Sequence, residues 1–143
     1  MTTHQYTARQ LRSAANVTSA TYDQWRARGF IKSEQKAEGS GNPQLYSFDE
    51  VFRAAVLARL VCMGVSVSVA DMHLDHLYGF KDSRAYLLIR AYDEAGASIE
   101  HTGTVGKIIR GEENLLPNVT ECEGVVVISL NKIEARVKRA LNS

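Results

Sequence analysis

Apolar residues recur at helical spacing early in the chain, at Ala8, Leu11, Ala14 and Ala15. Thr7-Ala8-Arg9-Gln10 has the form of a capping box, so the pattern predicts a first helix starting behind Thr7. The pattern breaks at Asn16-Val17. Thr18 then caps a second predicted helix, Ser19 to Arg28, with Val17, Tyr22 and Trp25 on its core side and Gly29 as its stop. Two short helices with a brief break between them are the signature of a helix-turn-helix.

Phe30-Ile31-Lys32 reads as a short strand and Gln44-Leu45-Tyr46 as its partner. The polar stretch Glu38 to Pro43 reads as the loop between them, which makes a hairpin, or wing. Ser47-Phe48-Asp49-Glu50 is a second capping-box pattern, opening a helix through Met63. Val51, Phe52, Ala55, Val56, Leu60 and Met63 form its apolar side, with Cys62 toward the core, and Gly64 ends it. Ser66 or Ser68 caps a further helix to about Leu77.

The second half changes character near Tyr78 to Ser83. Tyr86 to Tyr92 is a β-rich run, Asp93 to Gly96 a turn, and Ser98 to Gly103 the returning strand. Val105 to Arg110 is a further strand, and Gly111 to Gly124, with Pro117, a loop. Val125 to Leu130 is the clearest strand, apolar on both faces and so in need of cover on both. Asn131 caps a terminal helix with Ile133, Val137, Ala140 and Leu141 on one side, and this helix is expected to cover the sheet. The expected fold is therefore α+β: residues 1–78 with about four helices and a wing hairpin, then residues 79–143 as a small β-rich domain with a C-terminal helix.

Composition adds bounds. With 143 residues, 45% hydrophobic and 23% charged, the chain fits one globular domain or two small ones. No apolar run approaches the roughly 18 residues of a membrane span, and Met1 to Tyr6 lacks the form of a secretory signal. Two cysteines, Cys62 and Cys122, fit a reducing cytoplasm, which is the expected location. The net charge of +1 hides an asymmetry. Residues 1–36 hold six cationic residues against two acidic, a surplus of four that gives the protein a basic end.

In this order of elements, residues 6–77 resemble the winged helix-turn-helix of MerR-family transcription regulators. The matching residues are Tyr6-Thr7 and Leu11, Asn16-Val17-Thr18 at the turn, Thr21 and Trp25, and Gly29-Phe30-Ile31 at the helix exit. Leu45-Tyr46-Ser47, Asp49, Val51, Leu57, Leu60 and Gly64-Val65-Ser66 continue the match. Two features depart from the family. Gln44 stands where an arginine is usual, and the family's long dimerisation helix is absent, with Gly79 and the β-rich run in its place.

The resemblance and the basic end together imply a sequence-specific regulator that binds double-stranded DNA. Thr18, Ser19, Thr21, Tyr22, Gln24, Arg26 and Arg28 are the candidates on the second helix, with Gln24 suited to adenine and Arg26 to guanine. Lys36, Ser40, Asn42, Gln44 and Tyr46 are the wing candidates, and Arg9 and Arg12 the supporting phosphate contacts. A homodimer through the second half and RNA polymerase at a promoter are the further expected partners, with no membrane. Asp71, His73, Asp75 and His76 have helical spacing but do not share one face, so no metal site is assigned, and no cofactor. No catalytic constellation is recognisable, so the chain is not expected to be an enzyme. The alternatives are an excisionase-like DNA-bending protein and a small-molecule sensor with its ligand in the second half.

Overall fold

A computed structural model describes residues 5–32, 44–74, 86–92, 96–102 and 124–142. The protein is a mixed α and β structure, mostly helical, with a small antiparallel sheet and a C-terminal helix. It divides into two compact units, Met1–Asp71 with Ile133–Ser143, and Met72–Lys132. Among the described residues no helix is long and apolar enough to cross a membrane.

The first unit starts with β1 (Tyr6–Thr7) and α1 (Ala8–Ala15). The Thr7–Gln10 capping box is complete, each side chain bonding the other residue's backbone N–H. Asn16, at φ 58°, ends α1 in the left-handed region, and Val17 N–H closes onto the Arg12 carbonyl. Thr18 caps α2 (Ser19–Ala27) through the Thr21 N–H. Gly29, at φ 81°, ends α2 in the same manner, with Phe30 N–H on the Trp25 carbonyl. Tyr22 and Trp25 are buried, and Val17 is half-buried.

The expected strand at Phe30-Ile31-Lys32 does not form, and with it goes the expected pairing to residues 44–46. The Phe30 carbonyl accepts from Arg53, and Lys32 N–H donates to Glu50, so side chains occupy the groups a strand ladder would use. β2 (Leu45–Tyr46) pairs instead with β1, antiparallel, Tyr6 opposite Tyr46. The wing loop, with Lys36, Ser40 and Asn42, lies outside the described residues.

Ser47 caps α3 (Phe48–Cys62) through the Glu50 N–H. The expected reciprocal half of that box is replaced, because the Glu50 carboxylate accepts from Lys32 N–H at 2.9 Å. α3 is buried over Val51 and Ala54 to Leu57, and at Leu60. Leu11, Ala14 and Ala15 bury the core side of α1, which packs on α3. The C-terminal end of α3 corrects the expected apolar stripe: Cys62 is exposed and Met63 is 47% exposed. Gly64, at φ 96°, ends the helix, and Ser66 caps α4 (Val67–Leu74) through Val69 N–H. α5 (Leu130–Leu141) starts two residues earlier than expected, capped by Ser129 through Lys132 N–H rather than by Asn131. Ile133 and Val137 are buried, and from Ile133 onward the helix groups with the first unit. The Lys138 ammonium lies 5.8 Å from the Phe48 ring centre. The sequence reading had placed all of this helix with the second half.

The second unit contains β3 (Tyr86–Tyr92), β4 (Gly96–Thr102) and β5 (Gly124–Ser129), antiparallel in the order β4-β3-β5. β3 and β4 are the expected hairpin pair. The register places Leu87, Ile89 and Ala91 on one face with Ala97, Ile99, His101, Val126 and Ile128. The other face carries Arg90, Ser98 and Glu100 beside Leu88, Val125 and Val127. One face is therefore apolar apart from His101 and the other mixed, where both had been expected to be apolar. The expected strand at residues 105–110 and the loop with Cys122 lie outside the described residues.

Arg53 joins the pieces of the first unit. It is 3% exposed. Its guanidinium donates to the Phe30 carbonyl at 2.7 Å and to the Asp71 carboxylate, with Glu50 at 4.0 Å. Arg53→Met leaves Asp71 and Glu50 without their shared cation. It is expected to cost roughly 3 kcal/mol in urea unfolding, against under about 0.5 kcal/mol for Glu134→Ala, which breaks only an exposed pair. Equal, small losses in the two variants would refute this assignment.

Candidate nucleic-acid interface

The edge of α2 that carries Ser19, Tyr22 and Arg26 collects polar groups from three elements. These residues lie three and four apart, so they share one side of the helix. Tyr22 turns inward beside Tyr46, which is fully buried at 0% exposure. The two hydroxyls are 2.5 Å apart and the rings meet edge to face, centres 6.4 Å apart. The Tyr46 hydroxyl donates to Gln44 Oε1 at 3.0 Å, so Tyr22 must donate to Tyr46. Arg26 Nη1 donates to the same Gln44 oxygen, also at 3.0 Å. A chain of hydrogen bonds thus runs from the core to an exposed guanidinium.

Burial raises the Tyr46 phenol well above the ordinary tyrosine range, and the Tyr22 hydrogen bond adds to this. Arg26 pulls the other way. Tyr46 therefore stays a neutral donor, as its bond to Gln44 requires.

Arg12 reaches the same edge from α1. Its Nη1 donates to Ser19 Oγ at 2.5 Å, and its guanidinium lies 5.7 Å from the Tyr22 ring centre. Arg28 is held apart from this group, 4.7 Å from the Phe30 ring centre and bonded to Ser68 Oγ at 3.4 Å. Thr18 and Thr21 bond each other through their hydroxyls at 3.0 Å. Arg9 is exposed on α1.

The expected site residues thus divide. Arg12, Ser19, Arg26 and Gln44 come together. Tyr22 and Tyr46 are buried behind them. Gln24 lies two residues from Arg26, about 160° around the helix, so the two do not share a face. Gln24 keeps company with Asp23, Ala20 and Ala27 on the outward side, where Asp23 is an exposed acid. Of the acidic and histidine residues near α4, Asp71 is taken by Arg53. Asp75 and His76 lie outside the described residues.

Two participants were missed in the sequence reading. Arg53 was passed over because it interrupts an apolar helix, yet a helix apolar over Ala54 to Leu57 has little polar side left for a cation. The Gln44–Arg26 bond spans eighteen positions and leaves no local pattern. No family model matches the sequence, and no curated protein sequence shows significant similarity to it.

Tyr46→Phe removes the middle hydroxyl of the chain and is expected to cost about 1–2 kcal/mol. The pH dependence has a definite sign. A phenol raised on folding favours its protonated form, so its contribution is full below the unfolded value near 10 and falls as pH rises beyond it. The wild-type chain should therefore lose stability above about pH 10 more steeply than Tyr46→Phe. Parallel urea-midpoint curves for the two proteins would refute the arrangement.

Proposed function

We propose that this chain is a sequence-specific transcription regulator that binds double-stranded DNA through a winged helix-turn-helix of MerR-like type. The observation that carries the reading is the Ser19–Arg26 edge of α2. There Arg12 and Arg26 present two guanidiniums in fixed positions, one on Ser19 and one on Gln44. A short helix placed in a major groove reads bases with the side chains it projects beyond the core, and an arginine fork suits guanine. The α1–α2 pair has the length and the tight break of such a motif.

Arg26 is the base-reading residue in this proposal, and Gln44 its positioning residue. In place of an arginine on a phosphate, the glutamine steers the neighbouring arginine. Arg12 supplies a phosphate contact together with Ser19, and Thr18 presents its hydroxyl at the start of α2. Thr21 borders the same end, and Arg9 on α1 and Arg28 at the far end of α2 are further candidate contacts. Phosphate contacts give affinity, and the few base contacts give specificity. RNA polymerase is the further partner that a promoter-bound regulator meets.

A single module of this size covers too little DNA for operator-level affinity, so two copies are expected. The apolar face of the β4-β3-β5 sheet is the surface in the second unit for a two-fold contact. Truncation at Tyr78 would also remove Ile133 and Val137 from the core, so the dimer is tested on the whole chain. Sedimentation at micromolar concentration should give a dimer, and a monomer there would refute this part.

Binding to a duplex selected from a random pool should fall steeply with salt, with a slope of about −0.9 per phosphate neutralised. Arg12→Ala should flatten the slope. Arg26→Ala should cost roughly 1–3 kcal/mol on the preferred site and relax base choice at one position. Gln44→Ala should lose part of that, and the double variant little more than Arg26→Ala alone. A salt slope near zero would overturn the DNA reading. A loss in Arg26→Ala equal on every sequence would make Arg26 a phosphate contact instead.

A further inference from the structure

A second basic site lies away from this edge, in the first unit. Ala15, Asn16, Ala58, Arg59, Cys62 and Arg136 line a cleft of about 110 Å³, where α1 ends, α3 ends and α5 passes. That is room for several waters, or for one small polyatomic anion. Two arginines from different helices, Arg59 on α3 and Arg136 on α5, line it. Arg59 is exposed and Arg136 half-buried. Burial lowers the Arg136 guanidinium from its ordinary range, and the Arg59 charge adds to this. Among the described residues neither arginine has an ion-pair partner. Glu134 on α5 is bonded to Lys138 at 2.7 Å, and Glu50 and Asp71 belong to Arg53.

The two helix ends explain part of this gathering. Each carboxyl-terminal end carries about half a negative charge. Two ends therefore offset about one of the two guanidinium charges. Their last carbonyls are also in use, Arg12 by Val17 N–H and Leu60 by Val65 N–H. About one positive charge is left over in a concave site.

We propose that this cleft binds a phosphate group between Arg59 and Arg136, with Asn16 beside it and Cys62 at its rim. A tetrahedral oxyanion offers oxygens on several sides and more than one negative charge, so it suits two forks approaching from different helices better than a planar, singly charged carboxylate does. The group has two available sources, a free phosphate-type anion or the backbone of a bound nucleic acid. The first does not depend on the DNA reading above.

The test uses the full chain with Cys122→Ser, which leaves Cys62 as the single thiol. Inorganic phosphate is titrated at constant ionic strength by calorimetry, and Cys62 alkylation by neutral iodoacetamide is timed in parallel. Saturable binding with matching protection of Cys62 is expected. Arg136→Gln should weaken it about tenfold, the loss of one charge-assisted hydrogen bond, and Arg136→Lys should weaken it less. A urea midpoint for each variant shows that it is folded. No saturable heat, or a titration unchanged in folded Arg136→Gln and Arg59→Gln, would overturn the proposal. Duplex DNA then separates the sources. Duplex binding that protects Cys62 and that free phosphate competes away at constant ionic strength identifies the nucleic-acid backbone, and protection by free phosphate but not by duplex identifies a free anion. A chain that binds phosphate but no duplex would contradict the DNA reading and leave this site standing.

Discussion

Arg53 puts a full positive charge where the first unit has almost no water, and that charge has to be answered. The answer comes from three stretches of chain. Asp71 comes from α4, the Phe30 carbonyl from the exit of α2, and Glu50 from one turn back on α3. Glu50 in turn holds the Lys32 N–H. Buried ion pairs often add little net stability, because desolvation offsets their attraction. Their effect here is placement. The segment 30–32 cannot become a strand while its carbonyl and N–H are bonded to α3 side chains. The way the chain leaves α2 is therefore set from inside α3.

That placement matters because α2 carries the proposed reading edge. Its inner residues, Tyr22 and Trp25, are buried, and Tyr22 meets Tyr46 from β2. β2 is itself held against β1, at the start of α1. The hydroxyl pair then passes through Gln44 to Arg26. An arginine side chain free to sample its rotamers loses entropy when it docks. One already held by an amide oxygen loses less. The cleft at Arg59 and Arg136 is the opposite case, since among the described residues its two arginines have no carboxylate partner.

Local grammar was legible in the sequence. Thr7, Thr18 and Ser47 each cap the helix they precede, because a short hydroxyl next to a helix start has few better uses. Asn16, Gly29 and Gly64 end helices because they tolerate positive φ. The β3–β4 hairpin followed from alternation and a turn. What was not legible depends on distant partners. Phe30 to Lys32 has strand composition, yet tertiary hydrogen bonds override it. Met63 continues the helical period of α3 but falls at its end, where among the described residues no element covers it. Ser129 lies inside the run read as a strand, so Asn131 appeared to be the cap. In the candidate site, Arg12, Ser19, Arg26 and Gln44 were all named from sequence. Their grouping was not, because the Arg26–Gln44 and Arg12–Ser19 bonds join side chains from different elements and leave no local pattern.

The central claim is that the protein meets DNA with the Ser19–Arg26 edge of α2 and not with the outward side that carries Asp23. The most direct measurement is an NMR titration with a selected duplex, following backbone amides along α2, the Arg26 Nε–H and the Gln44 side-chain amide. The account predicts large shifts at Ser19, Arg26 and Gln44, with Ala20, Asp23 and Ala27 nearly unmoved. Shifts centred on Asp23 and Ala27, or none along α2 while the duplex is bound elsewhere, would contradict it.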